Sequence, residues 1–104
     1  MKYKVMIVED QTMPRELFEL RIQASEHFEV AISIDNAAVA DIYCLRFPVD
    51  LIMMDVVTRD GESGLDAAER IKRAFPQIKI IIVTSMPECS YLSRAREIGV
   101  ESFW

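Results

Sequence analysis

The chain has 104 residues, 51% of them apolar and 28% charged, which describes one domain with one core and excludes disordered and fibrous classes. Its net charge of -5 disfavours direct binding to nucleic acid, and no apolar stretch reaches the ~20 residues that span a bilayer. No charged-then-apolar leader with a cleavage site opens the chain, so a cytoplasmic protein is expected, with Cys44 and Cys89 as reduced thiols.

Lys4–Val8 is a nearly continuous apolar run, as in a strand covered on both faces. Thr12 and Pro14 open a helix, because proline fits a first turn whose amides have no intrahelical partner. Leu17, Leu20 and Ala24 give that helix an apolar stripe, widened by Phe18 and Ile22. Phe28–Ile34 alternates around Val30, Ile32 and Ile34 and predicts a second strand. Asp35 or Asn36 caps a second helix, Ala37 to about Arg46, which ends before Pro48.

Asp50–Met54 predicts the third strand, followed by a polar loop from Val56 to Ser63. Gly64–Phe75 predicts a third helix with Leu65, Ala68, Ile71 and Phe75 on its buried side, stopped by Pro76. Ile78–Val83 is rich in β-branched residues and predicts the fourth strand. Ser85 and Glu88 have capping-box spacing for a fourth helix with Pro87 in its first turn, and Gly99 ends it. Val100–Trp104 begins a fifth strand.

Alternation of strand and helix demands a doubly wound α/β fold: a mostly parallel sheet with helices on both faces. The expected strand order is 2-1-3-4-5, whose winding reverses between strands 1 and 3. Ligands of such sheets bind outside the carboxyl ends of the strands at that point. Here those ends carry Glu9 and Asp10 after strand 1, Asp55 after strand 3 and Thr84 after strand 4. Neighbouring strands lie ~4.8 Å apart, so carboxylates at adjacent strand ends can come within a few ångströms of each other, and their repulsion invites a divalent cation. Oxygen ligands without nearby histidine or cysteine select magnesium, with manganese as the alternative ion. Asp10 and Asp55 are the expected direct ligands. Glu9 acts directly or through a water, and the backbone carbonyl of Val57 supplies a further oxygen. Asp60, Glu62, Asp66 and Glu69 are expected on a solvated loop and helix face, His27 in a turn away from the mouth, and Met54 and Met86 along its wall.

These residues resemble the receiver domain of two-component response regulators, the CheY-like superfamily, over essentially all 104 positions. Val-Glu-Asp at 8–10, Met-Asp at 54–55, Ile-Val-Thr-Ser at 82–85 and Ala-Arg-Glu-Ile-Gly-Val at 95–100 carry the resemblance. It implies that Asp55 accepts a phosphoryl group from a phosphohistidine on a sensor histidine kinase. Glu9 and Asp10 then help to bind magnesium, and Thr84 bonds a phosphoryl oxygen. Phe103 falls where the family places an aromatic residue that changes rotamer on activation, so Thr84 and Phe103 form the switch. The switched surface is helix 4 with strand 5, which addresses a partner or a second protomer. The resemblance also points to an output domain beyond Trp104, of the helix-turn-helix DNA-binding kind.

Two departures stand out. The loop from Val56 to Gly64 is longer than the family's usual Met-Pro-Gly turn and carries Arg59. The family's strand 5 lysine would fall just beyond Trp104, as would a fifth helix, so residues 1–104 are expected to be a receiver domain truncated in or after strand 5. A receiver-like module that only binds partners is the alternative. A phosphatase of the haloacid dehalogenase type is disfavoured because Val57 stands where its second aspartate belongs, and nothing after strand 1 is a glycine-rich nucleotide fingerprint.

Overall fold

A computed structural model of the protein describes residues 2–56, 63–83 and 92–103. Of Ser102 and Phe103 the backbone alone is described. The elements are β1 (Tyr3–Val8), α1 (Thr12–Gln23), β2 (Phe28–Ile34), a 3-10 turn (Ala37–Val39), α2 (Ala40–Arg46), β3 (Leu51–Met54), α3 (Gly64–Ala74), β4 (Lys79–Ile82), α4 (Leu92–Ile98) and β5 (Ser102–Phe103). All strand pairs are parallel, in the order β2-β1-β3-β4-β5. This is the expected doubly wound sandwich.

The central strands are buried because helices lie on both sheet faces. Val5, Met6, Ile7 and Val8 are closed to solvent, as are Ile52, Met54, Ile80 and Ile82. Met6, Val8, Ile52, Met54, Ile80 and Ile82 join Ala40 of α2, Leu65, Ala68 and Ile71 of α3, and Ala95 of α4 in one core. On the opposite face α1 packs against β1 and β2. Beside it Phe18, Ile22, Leu51, Met53, Ile81 and Val83 line an open apolar cavity of about 330 Å³.

Three expectations need correction. The apolar residues of α1 do not form one buried stripe: Phe18 and Ile22 turn to the sheet, while Leu17 and Leu20 are more than half exposed. The second helix opens as a 3-10 turn, with Asn36 as its cap accepting from the Ala38 amide at 2.9 Å. The fifth strand is two residues long, Ser102–Phe103, rather than running from Val100. Gly99 does end α4, at φ 89°, a conformation open to glycine because it has no Cβ. The capping residues expected for that helix, Ser85, Pro87 and Glu88, lie outside the described residues, as do Cys89, Met86 and Arg59.

Two pins set the register around the sheet. At the amino ends, Asp50 Oδ2 accepts from the Lys4 amide at 2.8 Å, and the Asp50 amide donates to the Lys4 carbonyl at 2.8 Å. At β5, Glu101 Oε1 accepts from the Ile80 amide at 2.8 Å and lies 2.8 Å from Lys72 Nζ, which also donates to the Ile78 carbonyl. Burial opposes ionisation of Glu101, but the bonds from Lys72 and Ile80 outweigh it and hold its carboxyl below the ordinary value.

Candidate metal centre

The parallel register fixes which side chains meet. Val8 is level with Met54, and Met54 with Ile82, so the next residue of each strand leaves the same rim. The ladder carries on past the strands: the Glu9 amide donates to Ile34, the Asp55 amide to Val8 and the Val83 amide to Met54, at 2.9–3.0 Å. Backbone pairing thereby holds Glu9 and Asp55 before their side chains contribute anything.

Glu9, Asp10 and Asp55 each place a carboxylate oxygen within 4.8 Å of the others. Glu9 is 8% exposed and is the buried charged residue among those described. Its pKa is raised from 4.5 to about 7, first by burial and then by the negative charge of Asp55 and hydrogen bonds shared with Asp55 and Asp10. One contact opposes the rise: Glu9 Oε2 accepts from the Gln11 amide at 3.2 Å. Three acidic groups at this spacing, one of them nearly closed to water, are costly without positive charge. The donor set is hard oxygen throughout, with no imidazole or thiolate among the three. It therefore fits a hard divalent cation such as magnesium.

Two residues that sequence reasoning passed over shape this rim. Arg15, in the first turn of α1, donates from Nη1 to the Glu9 carbonyl at 3.0 Å and ties the helix to the acidic pair. Gly64 opens α3 directly behind Asp55. A Cβ there would sit 1.8 Å from the Asp55 carbonyl oxygen and 3.0 Å from Met54 Cγ, so the helix can close on the strand only at a glycine. The Gly64 amide donates to Val56 at 2.7 Å, and Ser63 Oγ caps α3 by accepting from the Leu65 amide. A glycine at the start of a predicted helix was the available signal. For Arg15 the sequence held none.

Of the other sequence candidates, Val57 and Thr84 lie outside the described residues, and so do Asp60 and Glu62. Phe103 is placed by its backbone in β5, opposite Ile82. Asp66 and Glu69 are on the solvent side of α3, where Asp66 pairs with Arg94 of α4 and Glu69 with Arg73. His27 is exposed in the turn before β2, at the far end of the strands. Met54 is fully buried in the core beneath the rim.

Five parallel strands wound in this order, with acidic side chains gathered at the reversal point, define a doubly wound α/β domain with an acidic pocket at its rim. The family described as response regulator receiver domain matches residues 5–104, and the chain belongs to it. The Fimbriae Z protein of Escherichia coli K12 is 28% identical over 99 residues, covering 95% of this chain and 47% of that protein. The oxygen regulatory protein NreC of Staphylococcus haemolyticus is 28% identical over 100 residues, covering 96% and 46%. The chain thus spans about half the length of the curated relatives it matches. Among solved structures, a DNA-binding response regulator of the LuxR family from Staphylococcus aureus superposes with a TM-score of 0.88 at 26% identity, covering 97% of this chain and 83% of that one.

Proposed function

We propose that this receiver domain takes a phosphoryl group on Asp55 from the phosphohistidine of a sensor histidine kinase, with magnesium held by Glu9, Asp10 and Asp55. The observation that carries the reading is the convergence of those three carboxylates within 4.8 Å at the rim of a parallel sheet. A carboxylate oxygen of Asp55 attacks phosphorus in line as the phosphorus–nitrogen bond of the phosphohistidine breaks. The electron pair of that bond leaves on the imidazole. A cation held there would supply charge neutralisation for the transferring phosphoryl group. Glu9 and Asp10 hold the pocket acidic, and the bond from the Asp55 amide to the Val8 carbonyl anchors the backbone that carries the proposed nucleophile. The carbonyl of Val57 is the proposed further ligand.

The product is a mixed anhydride, reactive enough toward water to serve as a temporary signal. Thr84 is proposed to bond one of its oxygens, and Phe103 to change rotamer with it, so that the surface of α4 and β5 shifts between two states. That surface is the proposed site of partner contact, a second protomer included. Residues 1–104 act in this reading as the receiver part of a longer cytoplasmic regulator, whose output domain binds DNA; support comes from the relatives' names and from the share of their length that the chain spans.

Incubation with acetyl phosphate and magnesium tests the reading by mass spectrometry. The protein is expected to gain one phosphoryl group, Asp55→Ala none, and EDTA should prevent the gain. An adduct that persists in Asp55→Ala would refute Asp55 as acceptor. No adduct at all would favour a module that only binds partners, and turnover of phosphate esters a phosphatase.

A further inference from the structure

Arg15 is a positive charge moored beside a cluster of carboxylates without being paired to one of them. It lies half-buried in the first turn of α1, and its Nη1 donates to the Glu9 carbonyl at 3.0 Å. It takes part in no ion pair among the described residues. Nor does it act on the Glu9 carboxyl, which responds to burial, the Gln11 amide, Asp55 and Asp10. Arg15 also lines an open polar cavity of about 290 Å³ together with Ser33, Asp35 and Tyr43, so its neighbours at the rim include a further acidic side chain. A bond to a neutral carbonyl fixes where the charge stands and leaves it uncancelled.

The mouth has need of such a charge. Three carboxylates converge there, in a chain of net charge -5. A phosphodonor is itself an anion and approaches against that field. A divalent cation offsets three carboxylates only in part, and one more positive charge at the rim removes the remaining repulsion. The carbonyl and the carboxylate of Glu9 belong to one residue, so the guanidinium stands within roughly one Debye length of the cluster, about 8–10 Å. We propose that Arg15 selects the phosphodonor, a role that rests on the phosphoryl transfer proposed above: its guanidinium, moored on the Glu9 carbonyl, draws anionic donors to the acidic mouth and loosens the hold of the three carboxylates on their cation.

Action by charge and action as a tie between α1 and β1 have different signatures. A tie, once cut, would let Glu9 move and would weaken the binding of cation and donor alike. A charge repels the cation and attracts the donor, so its removal moves the two affinities in opposite directions. At this separation one unit of charge changes each by about threefold.

Arg15→Gln and Arg15→Lys test it. Magnesium affinity is read by calorimetric titration of the unphosphorylated protein, and uptake from acetyl phosphate by mass spectrometry at saturating magnesium. Arg15→Gln should bind magnesium about threefold more tightly, need about threefold more acetyl phosphate for its half-maximal rate, and keep the wild-type maximal rate. Added salt should slow the wild type at low donor concentration more steeply than it slows Arg15→Gln. Arg15→Lys keeps the charge and should follow the wild type in every measurement. Weaker magnesium binding in Arg15→Gln overturns the proposal and leaves Arg15 as a tie. So does a lysine variant that behaves like the glutamine one, and so does a wild type whose donor dependence ignores salt, a result that holds even where a variant fails to fold. Uptake that is equal in wild type and Arg15→Gln overturns this proposal alone, whereas a wild type that takes up no phosphoryl group overturns the function proposed above and this role with it.

Discussion

Glu9 holds its proton up to near neutrality because it is almost closed to water and shares its site with two other carboxyls. In the cation-free protein its folded-state pKa, about 7, lies above its ordinary value of 4.5. The folded state therefore binds more protons than the unfolded state between those values. The stability tied to Glu9 is complete below about pH 4.5 and is lost as pH rises through 7. Cation binding has the opposite dependence, since the cation must displace that proton. Magnesium affinity is expected to be roughly tenfold weaker at pH 6 than at pH 8. Calorimetric titration across that range checks it, with Glu9→Gln as the variant whose pH slope should vanish. A wild-type affinity that does not change with pH would place the proton elsewhere.

At the scale of elements, α3 is held to β3 by the absence of a side chain. Gly64 lies where any Cβ would collide with the Asp55 carbonyl, so Gly64→Ala must push the helix or the strand end aside. We expect a loss of about 1–3 kcal/mol from overpacking, together with weaker magnesium binding. Gly99→Ala is the matched control: its Cβ would meet nothing within 4 Å, but φ 89° strains any residue other than glycine. Its melting temperature should fall while magnesium affinity stays at the wild-type level. Equal affinities in all three proteins would remove Gly64 from the site.

The elements were legible in the sequence where apolar period and punctuation agreed. β1, β3 and β4 appear as short buried runs, and Gly64, Pro76 and Gly99 mark helix limits. Their order alone brought Glu9, Asp10 and Asp55 to one rim. What stayed hidden depends on direction rather than on composition. The sequence shows Leu17, Leu20, Phe18 and Ile22 as one broadened stripe; only the packing of α1 on β1 and β2 divides them into an inner and an outer side. The reach of Arg15 back to the Glu9 carbonyl is equally invisible in the spacing.

For the molecule as a whole, the sheet is covered unevenly. Among the described residues, one face is closed by α2, α3 and α4, whereas the other is covered by α1 and leaves the depression lined by Leu51, Met53, Ile81 and Val83. A segment laid over it would bury several half-exposed apolar side chains, worth several kcal/mol at about 25 cal/mol per Å². In the longer regulator proposed above, a segment that covers this depression is expected to raise the melting temperature on the order of 10 °C over residues 1–104 alone. Differential scanning calorimetry of the two lengths decides it, and identical transitions would mean that the face needs no cover. The other flank raises a different hazard. β2 is an edge strand rich in β-branched residues, and its outer amides and carbonyls offer a template on which foreign strands can stack into fibres. The slip between Val5 and Met6 inserts Ala31 as an unmatched residue halfway along it. An incoming strand would meet a backbone irregular at Ala31, which disfavours long uninterrupted pairing there. One small misfit in the ladder thereby adds to the charge of Glu29 in interrupting a sticky border.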